Sequence, residues 1–260
     1  MQVTSRILGA VAELRVFGVG GIGEIRPGDD VAALLLEALD GRGAALEDGD
    51  VVVVTSKAVS KAEGRLVRLD SVTPSQDALE LTGVSGRDPR LVEIALRETA
   101  RAVRKTRGVL ISETRHGFVC ANAGVDASNL ESAEVAALLP VDPDASARRI
   151  RDAIQQRTGR TVAVILSDTF GRAWRNGQTN VAIGVAGISA LRDYRGQVDS
   201  AGLTLVVTEI AVVDELAGAA ELVMGKLDRV PVAVVRGYEF EPTLGAIRDL
   251  IRPAELDFFR

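Results

Sequence analysis

Residues Thr161–Asp168 read TVAVILSD: a short, nearly continuous apolar run that ends on a carboxylate. Asp50–Thr55 (DVVVVT) and Pro231–Val235 (PVAVV) have the same character. Val-rich runs of this length, without polar alternation, predict strands buried on both faces. Val109–Ser112, Gly117–Cys120 and Leu203–Thr208 (LTLVVT) are further predicted strands, and Glu13–Phe17 is a shorter candidate. Several runs lead directly into polar clusters. In open α/β sheets that is where ligands bind.

Helix signals lie between the runs. Asp30–Leu39 follows Pro27 and starts at an acidic cap. Asp88 caps a segment with Pro89 at its first position, predicted to run to about Arg104. Ser146–Arg157 repeats Ile150 and Ile154 one turn apart, and Gly159 can stop it. Asp214–Met224 puts Leu216, Ala220 and Val223 on one side, with Gly225 as its stop. Thr114–Gly117 reads as a hairpin turn, which requires some antiparallel pairing. Ser71–Arg87 is polar and is the candidate mobile loop. The fold class is mixed α/β (α+β).

Composition removes several chemistries. The 260 residues suit one large domain or two small ones, and aromatics are only 3% of them. Stacking platforms for single-stranded nucleic acid are therefore not expected. The formal charge of −5 argues against a duplex-binding face. With one cysteine, Cys120, and one histidine, His116, neither an intrachain disulfide nor a multi-histidine zinc site can form. Cys120 reads as a small core residue and His116 as a surface residue. Met1–Phe17 lacks the pattern of a signal peptide, and no run reaches the ~18 apolar residues of a membrane span. The location expected is the cytoplasm.

Gly18–Gly23 (GVGGIG) fits G-x-G-x-x-G, but a dinucleotide site needs a helix beginning inside the loop. Glu24–Gly28 intervenes before any helix. No Walker A sequence is present. Thr55–Lys61 (TSKAVSK) ends a strand with hydroxyls and ammoniums, which suit phosphate oxygens or a solvated strand end. Asp168–Gln178 (DTFGRAWRNGQ) is the densest polar segment. Its carboxylate and hydroxyl suit a hard cation, and Arg172 and Arg175 suit phosphate or carboxylate. Asp126, in GVDASN, is a second candidate carboxylate, in a run that also reads as an Asx turn. Glu209 and Asp214 read equally as site acids or as helix-terminal acids.

Ser167–Gln178 resembles the signature of the coenzyme F(420):L-glutamate ligases. Asp50–Lys61, Gly124–Asn129, Leu138–Asp144 (LLPVDPD), Thr208–Glu209 and Gly225–Lys226 are similar to that family in the same order, over roughly Val16 to Arg252. Gly23 departs from the proline expected there. The resemblance implies a family-specific mixed α/β fold, neither Rossmann nor P-loop. It implies a GTP-dependent γ-glutamyl ligase acting on a deazaflavin, coenzyme F(420)-0, with L-glutamate. Two Mg²⁺ or Mn²⁺ ions, often a monovalent cation such as K⁺, and a homodimer are implied with it.

By position, the resemblance makes Asp126, Asp168 and Thr169 metal ligands. Ile22, Gly23, Glu24, Ile25, Ser56, Lys61 and Asn129 would line the nucleotide site, with Met224, Gly225, Lys226 and Leu227 near it. Asp168, Arg172 and Arg175 are the catalytic candidates, the arginines as substrate anchors. The chain is expected to be one ligase unit, possibly two interleaved subdomains, without the C-terminal flavin domain of some relatives, and so a stand-alone ligase or an excised module. Two other classes stay open: an NAD(P)-dependent oxidoreductase using Gly18–Gly23, and a non-catalytic nucleotide-binding module.

Overall fold

The structure, a computed structural model, describes residues 13–83, 86–106, 109–128, 130 and 132–258. Asn129 and Met1–Ala12 lie outside the described residues. In chain order the elements are β1 (Arg15–Val19), α1 (Val31–Asp40), β2 (Val51–Thr55), α2 (Ser56–Ala62), β3 (Leu66–Arg68), α3 (Gln76–Thr82) and α4 (Pro89–Arg97). There follow β4 (Thr99–Thr106), β5 (Val109–Thr114), β6 (Val119–Ala121), β7 (Val135–Ala137) and α5 (Pro143–Thr158). The chain continues through β8 (Ala163–Arg172), β9 (Arg175–Ala186), β10 (Arg192–Asp193), β11 (Glu209–Ile210), α6 (Val212–Met224) and β12 (Val232–Arg236).

The three Val-rich runs form the centre of a five-stranded sheet ordered β1-β12-β2-β8-β9. Only β2 and β8 are parallel; the other neighbours are antiparallel. Val51–Val54, Ala163–Leu166 and Val232–Val235 are fully buried, which requires cover on both faces. The covers are α6, which packs on β1, β12 and β9, and the pair α1 and α5, which also pack on each other. The fold is therefore mixed α/β, as the pattern predicts. Separate small sheets, β4-β5-β6 and β3-β7, are built by the long excursion between α2 and α5. That excursion has its own apolar cluster of Leu69, Val72, Ile94, Ala136 and Leu138.

Local signals explain most helix ends. Asp30, Asp88 and Asp142 accept backbone N–H bonds at the starts of α1, α4 and α5. Gly159 and Gly225, both at positive φ, end α5 and α6. The hairpin turn after Thr114 joins β5 to antiparallel β6.

Five expectations need correction. The helix from Pro89 stops at Arg97, and Thr99–Thr106 is a strand paired with β5, a contact that helix periodicity cannot register. Ser71–Arg87 contains α3, capped by Ser75 Oγ, so it is not simply a loop. Leu203–Thr208 is not a strand of the central sheet; Leu203, Val206 and Val207 are exposed, and the segment makes only an irregular antiparallel ladder with residues 194–199 that runs on into the β10–β11 pair. His116 is half-buried rather than on the surface: it stacks on Phe118, and its Nε2 lies 2.9 Å from the Pro140 carbonyl oxygen. Finally, β8 does not end where its apolar run ends. It continues to Arg172 and forms a long hairpin with β9.

That hairpin has a register shift between the Leu166 and Ser167 pairings, and β9 is an edge strand whose outward N–H groups need other partners. Asp214 accepts from Ala182 N and Asp144 from Val185 N, each at 2.8 Å. Both carboxylates come from first helical turns, so the acid at Asp214 satisfies backbone rather than substrate. Gly18 is required by packing. A Cβ there would lie 2.8–2.9 Å from Val230 Cγ1 and Val223 O. No helix begins in the Gly18–Gly23 loop; the first starts at Val31. The geometry a dinucleotide needs is therefore missing. Among the described residues no helix is long and apolar enough to cross a membrane.

Ile165 pairs with Val53 and Val185 and is fully buried at the sheet centre. Ile165→Ala should cost about 2–5 kcal/mol. Denaturant unfolding should show a lower midpoint at unchanged slope. A cost below ~1 kcal/mol would show that this strand is not in the core.

Candidate active site

Strand β2 stops at Thr55, opposite Ser167, while its parallel neighbour β8 runs on. The first residue past the end of β2, Ser56, therefore meets the first charged residue of β8, Asp168. Ser56 Oγ donates to Asp168 Oδ1 at 3.1 Å. A cleft of about 950 Å³ opens at this strand end. That is near the top of the ~300–1,000 Å³ range of ligand clefts, enough for more than one small substrate.

Three walls surround it. The β1–α1 loop supplies Ile22, Gly23, Glu24 and Ile25. The excursion supplies Asp126 and Ser128. The turn after α6 supplies Gly225, Lys226 and Leu227. The floor holds Ser56, Lys57, Lys61, Asp168 and Thr169. Most of the candidate residues thus converge on one cavity, although they come from five separate stretches of chain.

Others do not line it. Met224 is buried and holds the end of α6. Arg172 and Arg175 sit further out on the β8–β9 hairpin, where Arg172 Nη2 donates to the Asn176 carbonyl at 2.7 Å. Glu209 pairs with Arg195 at 2.9 Å, away from the cleft.

Cations and carboxylates interleave in the cleft. Lys57 Nζ lies 2.7 Å from Asp126 Oδ2 and donates to the Ser128 carbonyl and hydroxyl. Lys61 pairs with Glu24. Lys226 reaches the Thr169 hydroxyl, which donates to Asn180 Oδ1 at 2.7 Å. Lys57 belongs to the run Thr55–Lys61 that suits phosphate oxygens, whereas Asn180 is not among the candidates above. Asn180 depends on the cross-strand pairing Thr169–Asn180, which has no local signature.

The two aspartates are in different electrostatic states. Burial pushes the Asp168 carboxyl up to about 6, helped by the charge of Asp126 and opposed by the Thr169 N–H and the Ser56 hydroxyl. Burial also works against ionising Asp126. There the Lys57 ammonium and the Ser128 N–H outweigh it and hold the carboxyl below its ordinary value. Cys120 borders the same space, but burial and the nearby Asp168 charge push its thiol up to about 12. It is not a nucleophile.

The donor set can be tested against a divalent ion. Two carboxylates and a hydroxyl are hard oxygen donors. Among the described residues no group of three or more His, Cys, Asp or Glu could hold a metal unaided. That excludes a closed zinc site there and fits Mg²⁺ or Mn²⁺ held by one or two carboxylates, with water and substrate phosphate completing the shell. An added cation would also relieve the unfavourable ionisation of Asp168.

The raised value has a consequence for stability. An ionised Asp168 opposes folding. The penalty is absent below the ordinary value of 3.8, grows from there, and is complete above about 6. With chelator present, Asp168→Asn should therefore stabilise the fold at pH 7.5, by no more than about 3 kcal/mol, and so raise Tm. The gain should shrink as pH is lowered from 7 toward 4.5. A Tm that falls at pH 7.5, or a gain that ignores pH, would contradict the burial described.

Comparison with known proteins identifies the family. Residues 21–237 match the family described as F420-0:Gamma-glutamyl ligase. The "Coenzyme F420:L-glutamate ligase" of Methanothermobacter thermautotrophicus is 46% identical over 250 residues, covering 95% of this chain and 99% of the relative. Proteins of that name from Methanocaldococcus jannaschii and Methanopyrus kandleri are 45% and 44% identical, covering 83% and 97% of this chain and 86% and 100% of theirs. Matches of this extent take in all three walls and the floor of the cleft: the chain belongs to the F420-0:gamma-glutamyl ligase family.

Proposed function

We propose that this protein joins L-glutamate to the deazaflavin coenzyme F(420)-0 by GTP-dependent amide formation, with later additions γ-linked. One observation carries the reading beyond family membership. The two aspartates and three lysines that phosphoryl transfer calls for share one cleft, which contains neither a histidine nor a reactive thiol.

A carboxylate is a poor acyl donor, because oxide is a bad leaving group. Attack of the cofactor's carboxylate oxygen on the γ-phosphorus of GTP would form an acyl phosphate and release GDP. The glutamate amine would then attack the acyl carbon, lose a proton and expel phosphate. Such chemistry needs positioning and charge neutralisation more than covalent help from the protein.

Asp126, Asp168 and Thr169 would hold Mg²⁺ or Mn²⁺, which when bound neutralises phosphate charge. K⁺ is a further expectation from the resemblance. In this reading Lys57 keeps Asp126 ionised, Ser56 orients Asp168, and Lys61 and Lys226 face the phosphates. Ile22–Ile25 and Gly225–Leu227 would cover the nucleotide. Arg172 and Arg175 would act at the mouth of the cleft on the acidic tail of the cofactor. A homodimer is proposed with it, and exposed Leu203, Val206 and Val207 are an apolar surface available to a second copy.

The test is incubation with F(420)-0, GTP, Mn²⁺ and glutamate, followed by mass analysis. A ladder in glutamate steps, with GDP released, is expected. No ladder from an intact cofactor sample overturns the proposal. Asp168→Asn should remain folded and lose roughly 10²–10³-fold or more in kcat, the size of one lost electrostatic stabiliser. Near-normal turnover would remove Asp168 from the mechanism.

A further inference from the structure

Beyond Asp168 and Thr169 the β8–β9 hairpin leaves the sheet. Its inner part, Phe170, Gly171 and Gln178, borders the cleft. Its tip is a two-residue turn, Ala173–Trp174, between the paired Arg172 and Arg175. Trp174 is the only tryptophan in the chain. It is 86% exposed and sits at φ +65, in the region that favours glycine or asparagine. An indole there gains little from burial and strains its backbone as well.

The tip is nevertheless held. Arg172 donates to the carbonyls of Asn176 and Gly177, across the base of the turn. The indole is thus presented at a defined place outside the cleft. It lies six positions beyond Asp168, at most roughly 20 Å along an extended strand.

We propose that Trp174 is the stacking platform for the flat tricyclic ring of the deazaflavin substrate. The inference rests on the ligase reading and deepens it. The substrate reacts at a carboxylate on one end of a flexible chain and carries its ring at the other. A cleft that gripped only the carboxylate end would accept many acids. Selection for this cofactor needs a contact with the remote ring, beyond the cleft, and a planar π-system needs only an aromatic face to meet. The tip of the hairpin supplies that face on the strand that also carries Asp168.

Kinetics of Trp174→Ala and Trp174→Phe test the proposal. The alanine variant should raise KM for the deazaflavin substrate roughly five- to hundredfold, the range of one aromatic stack. KM for GTP and for glutamate should not move, and the phenylalanine variant should recover most of the loss. A deazaflavin ring compound without the phosphate and carboxylate tail should compete with the substrate in the wild type, and do so more weakly in the alanine variant by a similar factor. An active wild type with an unchanged deazaflavin KM in Trp174→Ala overturns the proposal alone. So does a rise confined to KM for GTP, which would mean that the indole meets guanine. A change in sedimentation mass without a change in KM would assign the residue to a contact between copies, which also overturns it. A wild type that adds no glutamate overturns the ligase reading, and this inference with it.

Discussion

The parallel pairing of Val51–Thr55 with Ala163–Ser167 is the constraint on which the rest of the molecule depends. One strand stops and the other does not. The backbone that stops turns into α2 and delivers Ser56, Lys57 and Lys61; the backbone that continues delivers Asp168 and Thr169. A parallel pair cannot be closed by a tight turn, so the intervening chain must travel. Here it travels through a large excursion, and that excursion returns Asp126 and Ser128 to the same strand end. The site is a by-product of how a parallel pair has to be connected.

Electrostatics follow from that geometry. Two carboxylates face one space, and the protein treats them unequally. Asp126, half-exposed, has Lys57 beside it and stays ionised; Asp168 is more enclosed, has only hydrogen bonds from the Ser56 hydroxyl and the Thr169 N–H, and resists ionisation. A buried carboxylate without a full counter-charge is costly to fold. The arrangement makes sense for a site whose missing positive charge arrives with its ligands. The same logic keeps Cys120 inert, since burial beside Asp168 disfavours its thiolate.

Where the residues misled, the cause was a contact distant in sequence. Thr99–Thr106 continues a capped helix on local grounds, yet pairing with Val109–Thr114 makes it a strand. Leu203–Val207 is as apolar as a core strand, yet it pairs irregularly with residues 194–199 outside the central sheet and stays exposed. Asp214 reads equally as a catalytic acid and a helix acid; its bond from the Ala182 N–H of edge strand β9, invisible in any local pattern, decides for the backbone. Asn180 escaped notice because its partner Thr169 lies across a hairpin.

By itself the sequence determined the valine-rich strands, the helix caps at Asp30 and Asp88, the polar segment after Ser167 and the chemistries that one cysteine and one histidine rule out. These depend on period, cap geometry and residue type, which are local properties. Only the tertiary structure decided that Asp126, Lys57 and Asp168 share a cleft, that the strand through Asp168 runs on as a hairpin, and that Arg172 and Trp174 stand at its tip outside the cavity. Those facts depend on register and on the path of the connections, which no local pattern encodes.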